Sequence, residues 1–202
     1  MVQQRHVVLA ITGASGAIYG LKVGRELLRT GARLTMLISS AGFAVLREEC
    51  GLDWAGSTDK VLQHLQEHFQ HNGPELMFYA EGDLLAPLAS GSAAPDAMVV
   101  CPCSMGTLAR IACGNSGNLI ERTADVMLKE VRTLVLVPRE TPLNAIHLEN
   151  MLKLARLGVR LVPAMPAFYH QPESMDDLVN FVVGKVLDCL AMDHKLYKRW
   201  GA

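Results

Sequence analysis

Six short apolar runs punctuate the chain, at residues 7–11, 34–39, 76–79, 97–101, 134–137 and 159–162. Between them lie segments whose apolar residues recur at helical spacing, at 16–29, 41–49, 58–71, 104–112, 119–131, 145–157 and 175–192. Runs this short suit strands buried on both faces and cannot cross a membrane. Strand and helix alternating in this order imply right-handed crossovers between parallel strands, with helices on both faces of one sheet. The pattern predicts an α/β fold with a mostly parallel sheet, formed by a single domain over residues 1–202. In such a sheet, ligands bind beyond the carboxyl ends of the strands.

Composition narrows the function. Half of the 202 residues are apolar and 19% are charged, enough for a packed core and unlike a disordered or repetitive chain. Nineteen Lys and Arg against twenty Asp and Glu leave a net charge of -1. No global field gathers nucleic acid or an anionic membrane, so neither is an expected partner and any anion site must be local. The five cysteines, at 50, 101, 103, 113 and 189, do not form the even framework of a small secreted fold; a reducing compartment, the cytoplasm, is expected. Residues 7–11 fall short of a signal-peptide core, and 178–192, which carries Lys185 and Asp188, suits an amphipathic helix packed on a core. The stretch 54–82, polar and rich in His and Gln, reads as a peripheral excursion.

The first run leads straight into Thr12-Gly13-Ala14-Ser15-Gly16-Ala17-Ile18-Tyr19-Gly20, a small-residue turn opening a helix. Missing Cβ atoms let backbone N–H groups come close to a phosphate or a ring. The spacing is not G-x-G-x-x-G, and no acidic residue occurs from Leu27 through Arg47, where a ribose-binding carboxylate would close the second strand. No Tyr stands four residues before a Lys, as a short-chain dehydrogenase requires. A mononucleotide such as FMN fits this turn better than a dinucleotide.

After the fourth run, Ser104-Met105-Gly106-Thr107 can cap a new helix, where free N–H groups, two hydroxyls and the positive helix end make an anion site. Cys101 and Cys103 lack C-x-x-C spacing and read as buried thiols; no metal site is expected. Arg122, Asp125 and Lys129 share one helix face, and the next strand ends in Pro138-Arg139-Glu140. Either three cations converge on one strand-end crevice or they form a solvated basic face. Glu140 among them fits a proton relay or a salt bridge.

Taken together, residues 13–20, Ala89-Ser90-Gly91-Ser92, Cys101-Pro102-Cys103-Ser104, 118–126 with Lys129-Glu130, and 134–142 closely resemble the UbiX-type flavin prenyltransferases. So do 147–151, 166–172 and Arg199-Trp200-Gly201, in the same collinear order, leaving out only about 54–82. The resemblance implies a Rossmann-like or flavodoxin-like three-layer sandwich. It implies further that reduced FMN is bound as a substrate and that a dimethylallyl group passes from dimethylallyl phosphate to flavin N5 and C6. The product, prenylated FMN, would serve a UbiD-type decarboxylase in ubiquinone synthesis or aromatic acid decarboxylation.

By matched position, Gly13, Ala14 and Ser15 would lie against the flavin, with Ser39, Ser104, Met105, Gly106 and Thr107 around its phosphate tail and Arg139 spanning both ligands. Ser90, Arg122, Lys129, Tyr169 and Lys185 would surround the dimethylallyl phosphate, with Trp200 as an aromatic wall over the allyl group. Ser15, Glu49 and Glu140 would handle protons, and Lys129 would stabilise the leaving phosphate without a metal. Family sites of this kind form between subunits, which implies a homo-oligomer, a dodecamer. Two other readings stay open. One is a flavin-dependent cysteine decarboxylase, although its Pro-Ala-Ser-Ala-Asn-Thr turn is replaced here by Pro102-Cys103-Ser104-Met105-Gly106-Thr107. The other is a non-catalytic FMN carrier for a decarboxylase.

Overall fold

Val7, Val8, Leu9, Ala10 and Ile11 have no exposed surface in the computed structural model, which describes residues 4–201. A run apolar on both alternating faces belongs in the middle of a sheet covered on both sides, and β1 (His6–Ile11) takes that place. It pairs in parallel with β2 (Arg33–Ile38) on one side and β4 (Ala97–Cys103) on the other. With β3 (Leu76–Ala80), β5 (Thr133–Pro138) and β6 (Arg160–Leu161), the order is β3-β2-β1-β4-β5-β6, all parallel.

Alternate residues of β1 feed two cores. Val7, Leu9 and Ile11 face one layer, made by α1 (Ala17–Arg29), α2 (Ser40–Cys50), α3 (Thr58–Phe69) and α7 (Met175–Cys189). Val8 and Ala10 face the other, made by α4 (Met105–Ala112), α5 (Leu119–Lys129) and α6 (Ala145–Arg156). The expected three-layer α/β sandwich is thus present. Leu9→Ala in its middle would cost about 2–5 kcal/mol. The apolar stretch 178–192 is the amphipathic helix expected of it, with Val179, Phe181, Val182, Val183, Val186 and Leu187 buried.

The expectation that 54–82 is a peripheral excursion needs correction. This stretch supplies α3 and the edge strand β3, and Trp54, Val61, Leu65, Leu76 and Phe78 are all core residues. Its polar residues lie on the outer side of an amphipathic helix, so composition averaged over the stretch concealed its apolar stripe. Three helices also stop earlier than their apolar periodicity predicts. Gln70, Val131 and Ala191, just beyond α3, α5 and α7, adopt left-handed φ angles of 52°, 53° and 52°. None is a glycine, so the sequence carries no stop signal there.

Candidate active site

Crossovers from β1 and β4 leave on opposite faces, because α1 packs in one core and α4 in the other. The gap between the carboxyl ends of these two neighbouring strands is therefore the topological switch point, where such a sheet offers a crevice. Thr12, 1% exposed, ties its two sides together. Its Oγ1 donates to the Pro102 carbonyl at 2.9 Å and accepts from the Ser104 N–H at 2.9 Å, while its own N–H donates to Pro102 at 3.2 Å. Gly13-Ala14-Ser15 and Ser104-Met105-Gly106-Thr107 are thereby held in fixed relation. The glycines of the first turn have packing reasons of their own. Gly16 caps α1 at φ 105°, and a Cβ on Gly20 would sit 2.2 Å from the Cys101 carbonyl oxygen.

Three helix N-termini meet at this sheet edge, and they differ in what fills them. At α1, the Glu49 carboxylate accepts from the N–H groups of Gly16 at 2.8 Å and Ala17 at 3.1 Å. Burial alone would raise the Glu49 pKa, but hydrogen bonds from the Ser15 side chain and these two N–H groups, with the charge of Arg139, hold it below its ordinary value. At α2, Ser39 Oγ accepts from Gly42 N–H at 3.0 Å, and the Glu81 carboxylate accepts from Ser40 N–H at 2.8 Å and from its hydroxyl. At α4 no carboxylate among the described residues is bonded to the first turn.

There, Ser104 Oγ accepts from Thr107 N–H at 3.2 Å and donates to Thr107 Oγ1 at 3.0 Å, and Arg110 donates to the same Oγ1 at 3.2 Å. Having accepted twice, the Thr107 hydroxyl has its proton to offer elsewhere. No group among the described residues accepts from the N–H groups of Met105 or Gly106. Two backbone donors, a hydroxyl donor and the positive helix end leave α4, of the three termini, with the groups that an anion would meet.

Arg139, just past β5, reaches over this crevice and donates from Nε to the Ser15 carbonyl at 3.2 Å. Glu140 follows it, exposed, and accepts from the Thr141 N–H at 3.0 Å. Both line a cavity of about 280 Å³ with Leu143, Met151 and Met165. Neither takes part in an ion pair among the described residues, so the salt-bridge reading of Glu140 finds no partner within one chain. Cys101 and Cys103 are fully buried, and burial pushes both thiols up, Cys103 to about 12.

The remaining candidates lie elsewhere. Ser90, Arg122 and Lys129 form a patch along α5. Arg122 donates to the Ala89 carbonyl at 2.9 Å and to Asp125 at 2.7 Å, Lys129 donates to Glu130 at 2.5 Å, and a Cβ on Gly91 would lie 2.5 Å from Lys129 Nζ. Tyr169, Lys185 and Trp200 form another patch, outside α7. Trp200, 81% exposed, meets Tyr169 edge-on at 5.2 Å between ring centroids, and Lys185 Nζ lies 5.8 Å and 5.7 Å from the Phe181 and Tyr197 rings. Because α5 and α7 belong to opposite layers, the sheet itself separates the two patches. The expected convergence of Arg122, Lys129 and Arg139 on one strand-end crevice is not made within one chain, where Arg122 bonds to Ala89 and Asp125 and Lys129 to Glu130 instead. Arg139 stands at the strand ends, whereas Lys129 ends a helix that runs back toward the strand starts.

Some residues carry no sequence signal of their part here. Thr12 reads only as the lead-in to a glycine turn, Glu81 belongs to a stretch whose average polarity suggests a periphery, and Asp188 reads as a polar interruption in an apolar helix. Among the described residues no group of three or more His, Cys, Asp or Glu side chains could hold a metal ion, and no helix is long and apolar enough to cross a membrane.

Known proteins share this arrangement over nearly the full chain. Residues 1–187 match the family described as Flavoprotein. A protein of Halalkalibacterium halodurans named flavin prenyltransferase UbiX is 53% identical over 193 residues, 96% of this chain and 92% of its own. A crystal structure of AnUbiX (PadA1) in complex with FMN and dimethylallyl pyrophosphate superposes with a TM-score of 0.87 at 40% identity, covering 99% of both chains. A dodecameric FMN-dependent UbiX-like decarboxylase from Escherichia coli O157:H7 has a TM-score of 0.84 at 38% identity, covering 98% of this chain and all of its own. With its switch-point crevice, its open α4 terminus and this degree of identity, the chain belongs to the flavoprotein family and, within it, to the UbiX flavin prenyltransferases.

Proposed function

We propose that this protein binds reduced FMN at the β1/β4 switch point and joins to its N5 and C6 the dimethylallyl group of dimethylallyl phosphate, giving prenylated FMN for a UbiD-type decarboxylase. The observation that carries the reading is the α4 terminus. Of three helix ends at one crevice, it alone is not filled by a carboxylate, and its donors suit the phosphate tail of a mononucleotide. Relatives over 40% identical carry the flavin prenyltransferase name, and a structural neighbour was solved with FMN and dimethylallyl pyrophosphate.

Reduced FMN supplies an electron-rich ring at the carbon–nitrogen and carbon–carbon bonds that form. The chain's residues then have distinct tasks. Met105, Gly106 and Thr107 hold the phosphate tail, Ser39 adds a hydroxyl beside it, and Gly13, Ala14 and Ser15 bring backbone close to the ring. Glu49, kept ionised, accepts a hydrogen bond from the Ser15 hydroxyl and orients it, leaving the lone pairs of Ser15 Oγ to accept a hydrogen bond from the ring. Arg139 stands between the two ligands, and Glu140 beside it would accept the proton that N5 loses as it bonds to the allylic carbon, while the allylic carbon–oxygen bond breaks and phosphate departs with its electron pair. Lys129 and Arg122 of α5 with Ser90 beside them, and Lys185 of α7 with Tyr169 and Trp200 outside it, would surround the donor when copies of the chain come together. The need for patches from opposite layers supports a homo-oligomer, and the dodecameric neighbour supports that size.

Mass spectrometry of the flavin after anaerobic incubation with reduced FMN and dimethylallyl phosphate tests the reading. A flavin heavier by one five-carbon unit is expected, with no requirement for magnesium. An unchanged flavin would overturn it in favour of a carrier, and the same assay with dimethylallyl diphosphate ranks the two donors. No observation favours cysteine decarboxylation.

A further inference from the structure

We propose that Asp188 is a positioning residue for the prenyl donor, fastening residues 193–200 along α7 as a strap and so setting the Trp200–Tyr169 wall in place. The inference rests on the proposed function for what that wall binds, but the strap itself is a matter of geometry. After α7 the chain turns back at Ala191, φ 52°, and returns along the same helix. One carboxylate collects it. Asp188 accepts from Tyr197 Oη at 2.8 Å, from Arg199 at 2.7 Å and 3.3 Å, and lies 3.2 Å from His194 Nε2, with Lys185 Nζ at 3.9 Å from the helix side.

The helix is shaped to receive the strap. A Cβ on Gly184 would lie 2.5 Å from Tyr197 Cε1 and 2.7 Å from His194 Cε1, so only glycine there lets the two rings rest on the helix backbone. Beyond this clamp the contacts are aromatic. Tyr197 packs on Phe181 at 4.9 Å, Phe181 stacks with His170 at 5.3 Å, and Tyr169 stands edge-on to both Phe181 and Trp200. Both His170 nitrogens are buried beneath this cover with no hydrogen-bond partner among the described residues. Trp200 is itself exposed, so its position depends on the Asp188 anchor at its neighbour Arg199 and on its ring contact with Tyr169. Burial alone would raise the Asp188 pKa, but hydrogen bonds from Arg199, Tyr197 and His194 hold it at about 2, and the anchor is charged at any working pH.

Two variants approach the strap by different routes. Asp188→Asn removes the charge that gathers it. Gly184→Ala displaces it sterically while raising helix propensity, so a loss cannot be laid to a weaker α7. Hydrogen exchange over 193–200 and tryptic cleavage after Lys195 and Lys198 should both quicken in each variant. With the strap loosened, KM for dimethylallyl phosphate should rise about 10-fold to 10²-fold, the scale of a misplaced binding group, while FMN affinity stays as in the unaltered protein. Asp188→Glu should recover part of the loss. Unchanged exchange in both variants would overturn the clamp. Faster exchange with unchanged KM, or equal losses in FMN and donor affinity, would overturn the positioning role. If the unaltered protein leaves FMN unmodified, the functional reading and the strap's role at the donor both fall, while exchange still decides whether Asp188 holds the strap.

Discussion

The switch-point crevice and the patches on α5 and α7 are built by different rules. In the crevice, the groups on offer are backbone N–H donors and small hydroxyls whose positions are fixed by strand ends, by caps and by Thr12. All of these donors come from one chain. The patches present long cationic and aromatic side chains, paired locally in the meantime: Arg122 with Asp125, Lys129 with Glu130, Lys185 with Asp188. They are kept apart by the thickness of the sheet. Dipoles can be concentrated at one sheet edge at little cost, but several unpaired cations cannot, so a chain that must gather cations around a phosphate gains by assembling them only when copies meet.

That contrast can be broken most directly through subunit mixing. Lys129→Ala and Arg139→Ala should each lower single-turnover prenylation by about 10²-fold to 10³-fold, the loss typical of removing one charge-stabilising donor. Oligomers co-assembled from the two variants should recover part of the activity, because some sites then receive an intact crevice from one chain and an intact α5 patch from another. No recovery in demonstrably mixed oligomers would place both residues in service of one chain's site.

The next effect sharpens the division within the crevice itself. Glu140→Gln should keep flavin affinity while slowing prenylation about 10²-fold at saturating donor, the scale of a lost acid or base. Stopped-flow spectroscopy of the reduced flavin reads this rate, and a near-normal value would remove Glu140 from proton transfer. Smaller still is the expected cost of Ser104→Ala. One hydroxyl lost from the α4 terminus should weaken FMN binding about 10-fold, measured by flavin fluorescence, with little change in the rate once flavin is bound. A loss of donor affinity instead would move the anion site away from α4.

The smallest effect concerns the filled terminus. Because the Glu49 pKa is held below its ordinary value of 4.5, the carboxylate contributes stability that is fully present above that value and is lost as pH falls through the lower, folded one. Thermal unfolding between about pH 7 and pH 3 should therefore show a shallower acid decline in Glu49→Gln than in the unaltered protein. Parallel curves would mean that the α1 terminus does not depend on this charge.

Much of the fold was legible because burial on both faces forces apolar runs, and a strand such as 7–11 has nowhere to go but the centre. The glycine turn and the Ser104 cap were legible for a related reason, since each sits where strand periodicity gives way to helix periodicity. Helix ends were harder. Gln70, Val131 and Ala191 stop their helices in a left-handed conformation that lets the next N–H, of His71, Arg132 and Met192, cap the carbonyls of Gln66, Met127 and Leu187, and none of them is the glycine that usually marks such a stop. The stretch 54–82 was misjudged because its average polarity hid Trp54, Val61 and Leu65, spaced to line one helix face and the turn before it.

By itself the sequence determined that the sheet is parallel and three-layered, that a mononucleotide suits the first turn, and which side chains resemble a prenyl-transfer site. It did so because periodicity, capping and motif spacing are local properties. Only the tertiary structure decided that Glu49 and Glu81 fill two helix ends and leave α4 open, that the cations lie on opposite layers, and that Asp188 gathers the strap. Each of those facts joins residues six to forty-one positions apart or lying on opposite sides of the sheet, and hydrogen bonds act over about 3 Å of space, whatever the distance along the chain.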